Sequence, residues 1–389
     1  MRVFQQTHYD CGTKDWILKV LSLSNQGIVT SLTDGTVRIF QQNGSIDSPL
    51  SVIKAHSSTI NGMAKVDRSN VISTCASDSI KIWDPRKSIT TPTTVLNNGK
   101  SFLSLDSNYN WLLAAGTELQ GVDAEVYIWD LRNTKETVRS YVDSHHDDVT
   151  EIKFHQTNKD LLLSGSTDGY VNIYDMKIAD EEDALHQVIN FASIHSANFI
   201  SKNRIATLSH METFAIHGLN EDESEELTQP LPSKDFGDVR ELWNCEYVVD
   251  IYPGYVACGA NSRSELTLYP FDAVSETIDL SKPVWLAGAH GEEVVRSVCY
   301  VGEMIYSGGE DGCLRVWKAP PKGQLQVMND FFGEEKNYEQ VQDKEMEIEH
   351  EMEDIKKDKS SKEKKSKKDK SSDKDKKKKK KKDIRFKPY

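Results

Sequence analysis

The chain has 389 residues, and its 61 acidic and 48 basic side chains give a formal net charge of -13 at pH 7. No stretch approaches the roughly 18 to 20 consecutive apolar residues that a membrane-spanning helix requires, so we expect no membrane contact. The start of the chain, MRVFQQTHYD, lacks the apolar core of a secretory signal, which favours the cytosol or nucleus.

The net charge averages over regions of opposite sign. Residues 1–318 carry a net charge of -18, residues 319–350 carry -5, and residues 351–389 carry +10. An acidic body therefore carries a strongly basic end, and partners of the two regions have to be considered separately.

One sequence pattern recurs along the body: small residues, an acidic turn, alternating strand residues and a closing aromatic. In chain order its copies are TSLTDGTVRIF (30–40), STCASDSIKIWD (73–84), AAGTELQGVDAEVYIWD (114–130), SGSTDGYVNIYD (164–175), IATLSHMETFAIH (205–217), VACGANSRSELTLYP (256–270) and SGGEDGCLRVWK (307–318). The third has an enlarged turn, and the fifth and sixth are degenerate. The closing positions lie 42 to 53 residues apart: Phe40, Trp83, Trp129, Tyr174, Ile216, Tyr269 and Trp317.

A period of about 40 to 45 residues with short strands and a Trp-Asp end is typical of a β-propeller blade of the WD-repeat type. Helical periodicity is nearly absent from the same region. We therefore predict an all-β fold, a seven-bladed WD40 propeller formed by residues 1–318.

The strong copies also place a histidine upstream of the acidic turn. Such a histidine can hydrogen-bond the aspartate of the turn between the second and third strands, and a strand hydroxyl and the closing indole can extend the network. The predicted sets are His56, Ser73 or Thr74, Asp78 and Trp83; His145, Ser164 and Asp168, with Tyr174 in place of tryptophan; and His290, Ser307, Asp311 and Trp317. They resemble catalytic triads, but repetition across blades favours a structural role.

The runs SHHDDVTEIKFH (144–155), DEEDALHQ (180–187), GDVRE (237–241) and VRSVCY, with the fourth and seventh repeats, resemble the family of WD repeat-containing protein 89. The resemblance implies a seven-bladed propeller whose N-terminal segment closes the ring by adding a strand to the last blade. It implies little about biochemistry, because one fold serves many functions.

The end of the chain loses strand patterning after Pro320 and Pro321. We predict an acidic linker over residues 319–350, part of which has a composition that allows helix, and a disordered lysine-rich tail over residues 351–389. A run of lysines is the candidate nuclear localisation signal, and RNA is a further candidate partner of the tail: Lys376, Lys377, Lys378, Lys379, Lys380, Lys381 and Lys382. Phe386 and Tyr389 are candidate anchors for a partner's groove.

Two acidic runs are candidate binding sites for basic proteins, because clustered carboxylates attract cations and repel nucleic acid. We expect both on loops that connect blades. Their residues are Asp180, Glu181, Glu182 and Asp183 in the first run, and Glu221, Asp222, Glu223, Glu225 and Glu226 in the second. Solvated loops without a partner are the alternative interpretation, and the chain's own lysine tail is another candidate occupant.

The pair WDPR (83–86) and WDLR (129–132) places Arg86 and Arg132 just after two closing strands. It resembles the arginine motif with which WD-repeat substrate receptors of cullin-4 ubiquitin ligases contact their adaptor. A local salt bridge is the alternative. Metal binding by the four adjacent residues of HHDD (145–148) is disfavoured, because sequence neighbours cannot converge on one tetrahedral site.

We hypothesise a non-enzymatic scaffold or chaperone that mediates protein–protein interactions in the nucleus or nucleolus, in ribosome biogenesis, with the cytoplasm left open. The alternatives are a cullin-4-type substrate receptor and a histone- or chromatin-binding propeller. The expected partners are basic proteins, either ribosomal proteins or histones, together with an import receptor and RNA for the tail. We expect a monomer within larger complexes, and no catalytic residue, metal or cofactor.

Overall fold

The structure is a computed structural model that describes residues 1–12, 14–24, 27–42, 46–66, 70–220, 232–328 and 330–332. Within these ranges the strands form seven sheets in chain order, one for each predicted repeat. The prediction of a seven-bladed propeller is therefore confirmed. The predicted tail, with Lys376–Lys382, Phe386 and Tyr389, lies outside the described residues.

The element bounds follow the repeats. Two strands precede the first blade: β1 (Arg2–Val3) and β2 (Gln5–Asp10). Blades one to three comprise β3 (Ile17–Leu23), β4 (Gly27–Leu32), β5 (Thr36–Phe40), β6 (Ser51–Lys54), β7 (Gly62–Val66), β8 (Val71–Cys75), β9 (Ile80–Trp83), β10 (Thr94–Leu96), β11 (Phe102–Ser107), β12 (Leu112–Thr117), β13 (Ala124–Asp130) and β14 (Asn133–His145). Each of these three blades is an antiparallel meander.

The remaining blades continue this order. Blades four and five comprise β15 (Val149–Phe154), β16 (Leu161–Ser166), β17 (Tyr170–Asp175), helix α1 (Glu181–Ala184), β18 (Leu185–Asn190), β19 (Ile194–Ser201), β20 (Arg204–Ser209), β21 (Thr213–Gly218) and β22 (Lys234–Asp238). Blades six and seven comprise β23 (Tyr247–Tyr252), β24 (Tyr255–Ala260), a short 3-10 helix (Asn261–Arg263), β25 (Glu265–Asp272), β26 (Thr277–Ile278), β27 (Val284–Ala287), β28 (Val295–Val301), β29 (Met304–Gly309) and β30 (Cys313–Lys318).

Burial explains the composition of the strands. Every residue of the second strands β4, β16, β20 and β24 is buried, because neighbouring blades cover both faces. These strands are consequently rich in small and aliphatic residues with no polar alternation. The fourth strands β6, β10 and β22 lie at the outer edge, where most of their residues are exposed or half-buried, so their sequences carry little hydrophobic signal.

The N-terminus closes the ring. Strand β2 pairs antiparallel with β30 and completes blade seven, with Gln5 opposite Trp317 and Asp10 opposite Cys313. Strand β1 pairs parallel with β27 of blade six. The closure that the resemblance implied is therefore present, and the N-terminus additionally contacts a second blade.

Residues 319–328 and 330–332, which we predicted as the start of a linker, pack on the propeller instead. Leu325 is buried among residues of blades six and seven, and Phe331 is buried among residues of blades five and six. Phe332 makes an edge-on ring contact with His155 of blade four, with centroids 5.1 Å apart. The strap, as we call residues 319–332, crosses blade six at Gly254, where φ is +91° and a Cβ atom added to the glycine would lie 2.0 Å from Gln326 O, so no side chain fits there.

Candidate functional site

A hydrogen-bonded network connects the strands of blade seven. The Nδ1 of His290 lies 2.7 Å from Asp311 Oδ1, and its Nε2 lies 2.8 Å from Ser307 Oγ. Because the carboxylate only accepts, Nδ1 carries the proton and Nε2 accepts from the Ser307 hydroxyl. The indole of Trp317 donates to the same oxygen at 3.0 Å. Burial lowers the pKa of His290, which is consistent with a neutral ring.

Blade two has the same arrangement. Of the two hydroxyl residues predicted for its network, Ser73 and Thr74, the structure shows Thr74 in this role. His56 lies 2.5 Å from Asp78 Oδ1 and 2.8 Å from Thr74 Oγ1, which also accepts from the Trp83 indole at 3.2 Å. Ser73 points to the other face of the strand, and its hydroxyl donates to the carbonyl of Ala64.

Blade four retains the histidine but changes the closing residue. His145 lies 2.9 Å from Asp168 and 2.7 Å from Ser164, whose hydroxyl lies 3.4 Å from the phenol oxygen of Tyr174. Tyr174 stacks on Tyr141 of blade three, with ring centroids 4.2 Å apart.

These networks cannot act as the triads that they resemble. A nucleophilic hydroxyl must reach a substrate. The hydroxyl-bearing residues Thr74, Ser164 and Ser307 are all fully buried inside their blades, with 0% exposure. Their chemistry is to satisfy the buried imidazole and the indole or phenol, which would otherwise cost folding free energy.

The two predicted arginines each pair with an aspartate two residues earlier. Arg86 Nε lies 2.8 Å from Asp84 Oδ1, and Arg132 Nε lies 2.9 Å from Asp130 Oδ1, each with a second parallel bond. The two arginine side chains remain 57% and 65% exposed. Hydrogen bonds from Arg86 outweigh burial and lower the pKa of Asp84.

A third pair of this kind lies elsewhere. Arg240 forms the same two bonds with Asp238, at 3.0 and 2.5 Å, at the end of the fourth strand β22 of blade five. The two-residue spacing therefore forms a local ion pair wherever a strand ends in this way.

The first acidic run does not lie between blades, so that expectation is wrong. Residues 180–183 lie inside blade four, between its third and fourth strands, where Asp180 caps helix α1 by accepting from the backbone N–H groups of Glu182 and Asp183. Acidic residues are favourable in the first turn of a helix, which explains why this run is helical. The second run, residues 221–226, lies outside the described residues.

Helix α1 also contacts the neighbouring blade. The Glu181 carboxylate accepts from the backbone N–H groups of Val142 and Asp143 on β14, at 2.7 and 3.0 Å, and from the Ser144 hydroxyl. The side chain therefore stabilises the contact between blades three and four.

A cavity of about 510 Å³ lies beside this contact. Carboxylates and a few apolar side chains line this blade 3/4 groove, and its lining within the described chain includes no lysine or arginine. The lining residues are Asp143, Ser144, His146, Asp168, Tyr170, Asn172, Glu181, Glu182, Leu185 and Val188. The sequence indicated Glu181 and Glu182 but not that β14 supplies the opposite wall.

Two kinds of feature are absent from the described residues. No group of three or more histidine, cysteine or carboxylate side chains in these ranges is arranged to hold a metal ion. None of the helices there is long and apolar enough to cross a membrane.

The chain was compared with known proteins. The model of the WD domain, G-beta repeat, matches residues 47–84, 136–175 and 281–318. An uncharacterized WD repeat-containing protein of Saccharomyces cerevisiae is 46% identical over 330 residues, covering 82% of this chain and 83% of the relative. The chain belongs to the WD repeat-containing proteins. The three matched ranges contain the three histidine networks.

Two further relatives bear on this WD repeat-containing chain. The WD repeat-containing protein 89 homolog of Dictyostelium discoideum is 28% identical over 80% of this chain and 85% of the relative. A ribosome biogenesis protein WDR12 homolog of Culex quinquefasciatus is 25% identical over 44% of this chain and 40% of that protein. The first agrees with the resemblance drawn from the sequence, and the second is partial.

Proposed function

We propose that this WD-repeat propeller is a non-enzymatic nuclear scaffold or chaperone that binds basic proteins through its acidic body, with ribosome biogenesis as its setting. The observation that carries the proposal is the net charge of residues 1–318, which contain 44 acidic and 26 basic side chains. A surface of one sign attracts partners of the other and repels nucleic acid.

The remaining support is of two kinds. The partial similarity to a ribosome biogenesis protein favours ribosomal proteins among basic partners. The run Lys376–Lys382 has the composition of a nuclear import signal, and the +10 region around it suits an import receptor or RNA. Histones are the alternative basic partner: they are positively charged like ribosomal proteins, but they would place this chain on chromatin.

Affinity purification of the full chain, and of a chain ending at residue 350, tests the proposal when bound proteins are identified at low and high salt. We expect both chains to recover basic proteins at low salt and to release them at high salt, because screening weakens exposed charge contacts. Pre-ribosomal proteins support the ribosomal setting, and histones support the chromatin alternative. A recovered set that is not enriched in basic proteins contradicts the proposal.

The exposed guanidinium groups of Arg86 and Arg132 favour a second candidate, the substrate receptor of a cullin-4-type ligase. Each arginine is held by its aspartate in a fixed orientation with more than half of its side chain exposed. This candidate predicts co-purification of cullin and adaptor, lost in the double variant Arg86→Ala, Arg132→Ala. Arg240→Ala is the matched control, because it removes an equivalent ion pair from another blade. Adaptor binding that survives the double variant contradicts the candidate.

A further inference from the structure

Three blades share an internal cation that blade four lacks. The residue two positions before the closing aromatic is Arg38 in blade one, Lys81 in blade two and Arg315 in blade seven. Each donates to the carboxylate of its blade's turn aspartate, at 3.4, 3.0 and 2.7 Å. The equivalent residue in blade four is Asn172, which is too short to repeat this contact.

The Lys81 ammonium of blade two makes two hydrogen bonds, and Asn172 reproduces only one of them in blade four. In blade two the Lys81 ammonium also donates to the carbonyl of Ala55, which precedes the blade's histidine, at 2.8 Å. In blade four the Asn172 amide donates to the equivalent carbonyl, that of Ser144, at 2.9 Å. The bond to the turn aspartate, Asp168, has no counterpart among the described contacts of Asn172.

The side chain of Asn172 is also incompletely satisfied. It is 2% exposed and lines the blade 3/4 groove, and its Oδ1 has no hydrogen-bond partner among the described residues. An unpaired buried acceptor costs folding free energy unless a ligand supplies a donor. The groove therefore contains a buried acceptor where blades one, two and seven hold a lysine or arginine.

The rim of the groove reinforces this preference for a cation. Asp143 and Glu182 are exposed, and the carboxylates of Asp168 and Glu181 lie along the same lining. Tyr170, Leu185 and Val188 supply apolar surface beside them. This combination suits a side chain with an aliphatic stem and a cationic head.

We propose that the blade 3/4 groove binds a lysine or arginine side chain of a basic partner, which supplies the cation that blade four lacks. The proposal rests on the proposed function and assigns the binding of basic proteins to this groove. Asp168 and Asn172 Oδ1 accept from the incoming head group, and Asp143 and Glu182 attract it by charge.

The test uses the full chain and a fluorescein-labelled peptide with arginine at every second position. Its counterpart carries citrulline, which has nearly the same shape without the charge. The decisive variant is Asn172→Lys, which places the cation of blade two inside blade four. We expect it to reduce affinity for the arginine peptide by about tenfold or more, since it occupies the groove and neutralises Asp168.

Thermal unfolding shows whether Asn172→Lys folds, and a second variant tests the groove if it does not. Asp143→Asn combined with Glu182→Gln changes two exposed residues, and we expect severalfold weaker binding at low salt. Asp183→Asn is the control, because it removes one carboxylate charge from helix α1 outside the groove lining. We expect its affinity to equal that of the unmodified chain.

The outcomes separate the two proposals. Equal affinity of the folded variants and the unmodified chain for the arginine peptide overturns the groove assignment and leaves the general affinity for basic proteins. Equal affinity of the unmodified chain for the arginine and citrulline peptides overturns both. Tighter binding after removal of residues 351–389 identifies the chain's own lysines as the occupant and overturns the assignment to a partner.

Discussion

The buried hydroxyl at the centre of each histidine network serves two polar groups at once. In blade seven the Ser307 hydroxyl donates to the imidazole of His290 and accepts from the indole of Trp317. Both partners are 1% exposed, so water cannot replace the hydroxyl. Removal of one oxygen therefore leaves two polar groups unsatisfied.

We predict that Ser307→Ala lowers the free energy of unfolding by about 2 to 6 kcal/mol, because two buried groups become unsatisfied and each costs about 1 to 3 kcal/mol. The control is Ser73→Ala in blade two. Ser73 is equally buried, but its hydroxyl donates only weakly, to the Ala64 carbonyl at 3.4 Å, so we expect a loss below about 1 kcal/mol. Urea unfolding of both variants measures the difference, and equal losses would contradict the assignment.

The buried imidazoles make stability depend on pH. Burial lowers the pKa of five histidines below the ordinary value of 6.5: His56, His155, His210, His217 and His290. Below about pH 6.5 the unfolded chain therefore binds more protons than the folded chain, and stability falls. Although burial alone raises them, hydrogen bonds from histidine lower the pKa values of Asp78, Asp168 and Asp311, which extends the loss to lower pH.

We predict that the thermal midpoint is nearly constant from pH 8 to 7 and falls from about pH 6.5 to 5. Circular dichroism at constant ionic strength measures it. The variant His56→Gln removes one of these imidazoles, and we expect a shallower dependence on pH. A midpoint that rises on acidification would show that the histidines gain protons on folding.

At the scale of elements, the outer edges of blades three and four are joined by a side chain rather than by strand pairing. The Glu181 carboxylate occupies the edge of β14 and accepts from the N–H groups of Val142 and Asp143. Exposed strand edges tend to pair with other chains, and a carboxylate that covers two N–H groups opposes this.

We predict that Glu181→Gln speeds amide hydrogen exchange at Val142 and Asp143 by about tenfold, because the neutral amide accepts more weakly and at one atom instead of two. Asp183→Asn, in the same helix, is the control and should leave exchange unchanged. Mass spectrometry of peptides that cover residues 140–146 measures the rates. Unchanged exchange in Glu181→Gln would show that other contacts protect this edge.

The second and third strands were predictable from sequence, and the fourth strands were not. The third strands end at the closing residue or one to three residues after it, and an indole or phenol at that position packs between blades, as Trp83 and Tyr174 do. Fourth strands such as β10 have one buried face at most, so no apolar pattern marks them. The position of Asp180 to Asp183 within blade four was missed for this reason.

The candidate site was predictable only in part. Glu182 was found because acidic clusters are visible in one dimension. Asp143, on the opposite wall of the groove, comes from another blade and could not be assigned to the groove from sequence. The missing cation at Asn172 becomes visible only when the third strands are aligned and Asn172 is compared with Arg38, Lys81 and Arg315. The recurring sequence pattern therefore contained the signal that could have identified Asn172.

At the scale of the whole molecule, the compact unit extends beyond the last repeat and includes Phe332, the last described residue. Leu325 and Phe331 of the strap are buried, at 7% and 9% exposure, and Phe332 packs against blades four and five. The strap thus connects blade seven to blades on the other side of the ring. Sequence patterns missed it because its contacts are single side chains rather than strand pairs.

We predict that a chain ending at residue 318 has a thermal midpoint at least about 5 °C below that of a chain ending at residue 333, because burial of each large apolar side chain contributes about 2 kcal/mol. Phe332→Ala in the full chain should give part of this loss without truncation. Scanning calorimetry of the two truncated chains, the full chain and its Phe332→Ala variant measures both losses. Equal midpoints for the two truncated chains would show that the strap adds no stability.

Ring closure fixes the order in which the propeller can form during synthesis. Strand β2 emerges from the ribosome before any of the blades, yet its partner β30 ends at Lys318. At about 5 to 20 residues per second, β2 waits roughly 15 to 60 s for its partner. During that time blades one to six can assemble, but their ring stays open. The seam between the two ends of the chain is therefore the last part of the ring to form, and the growing protein has an exposed strand edge until translation of blade seven is complete.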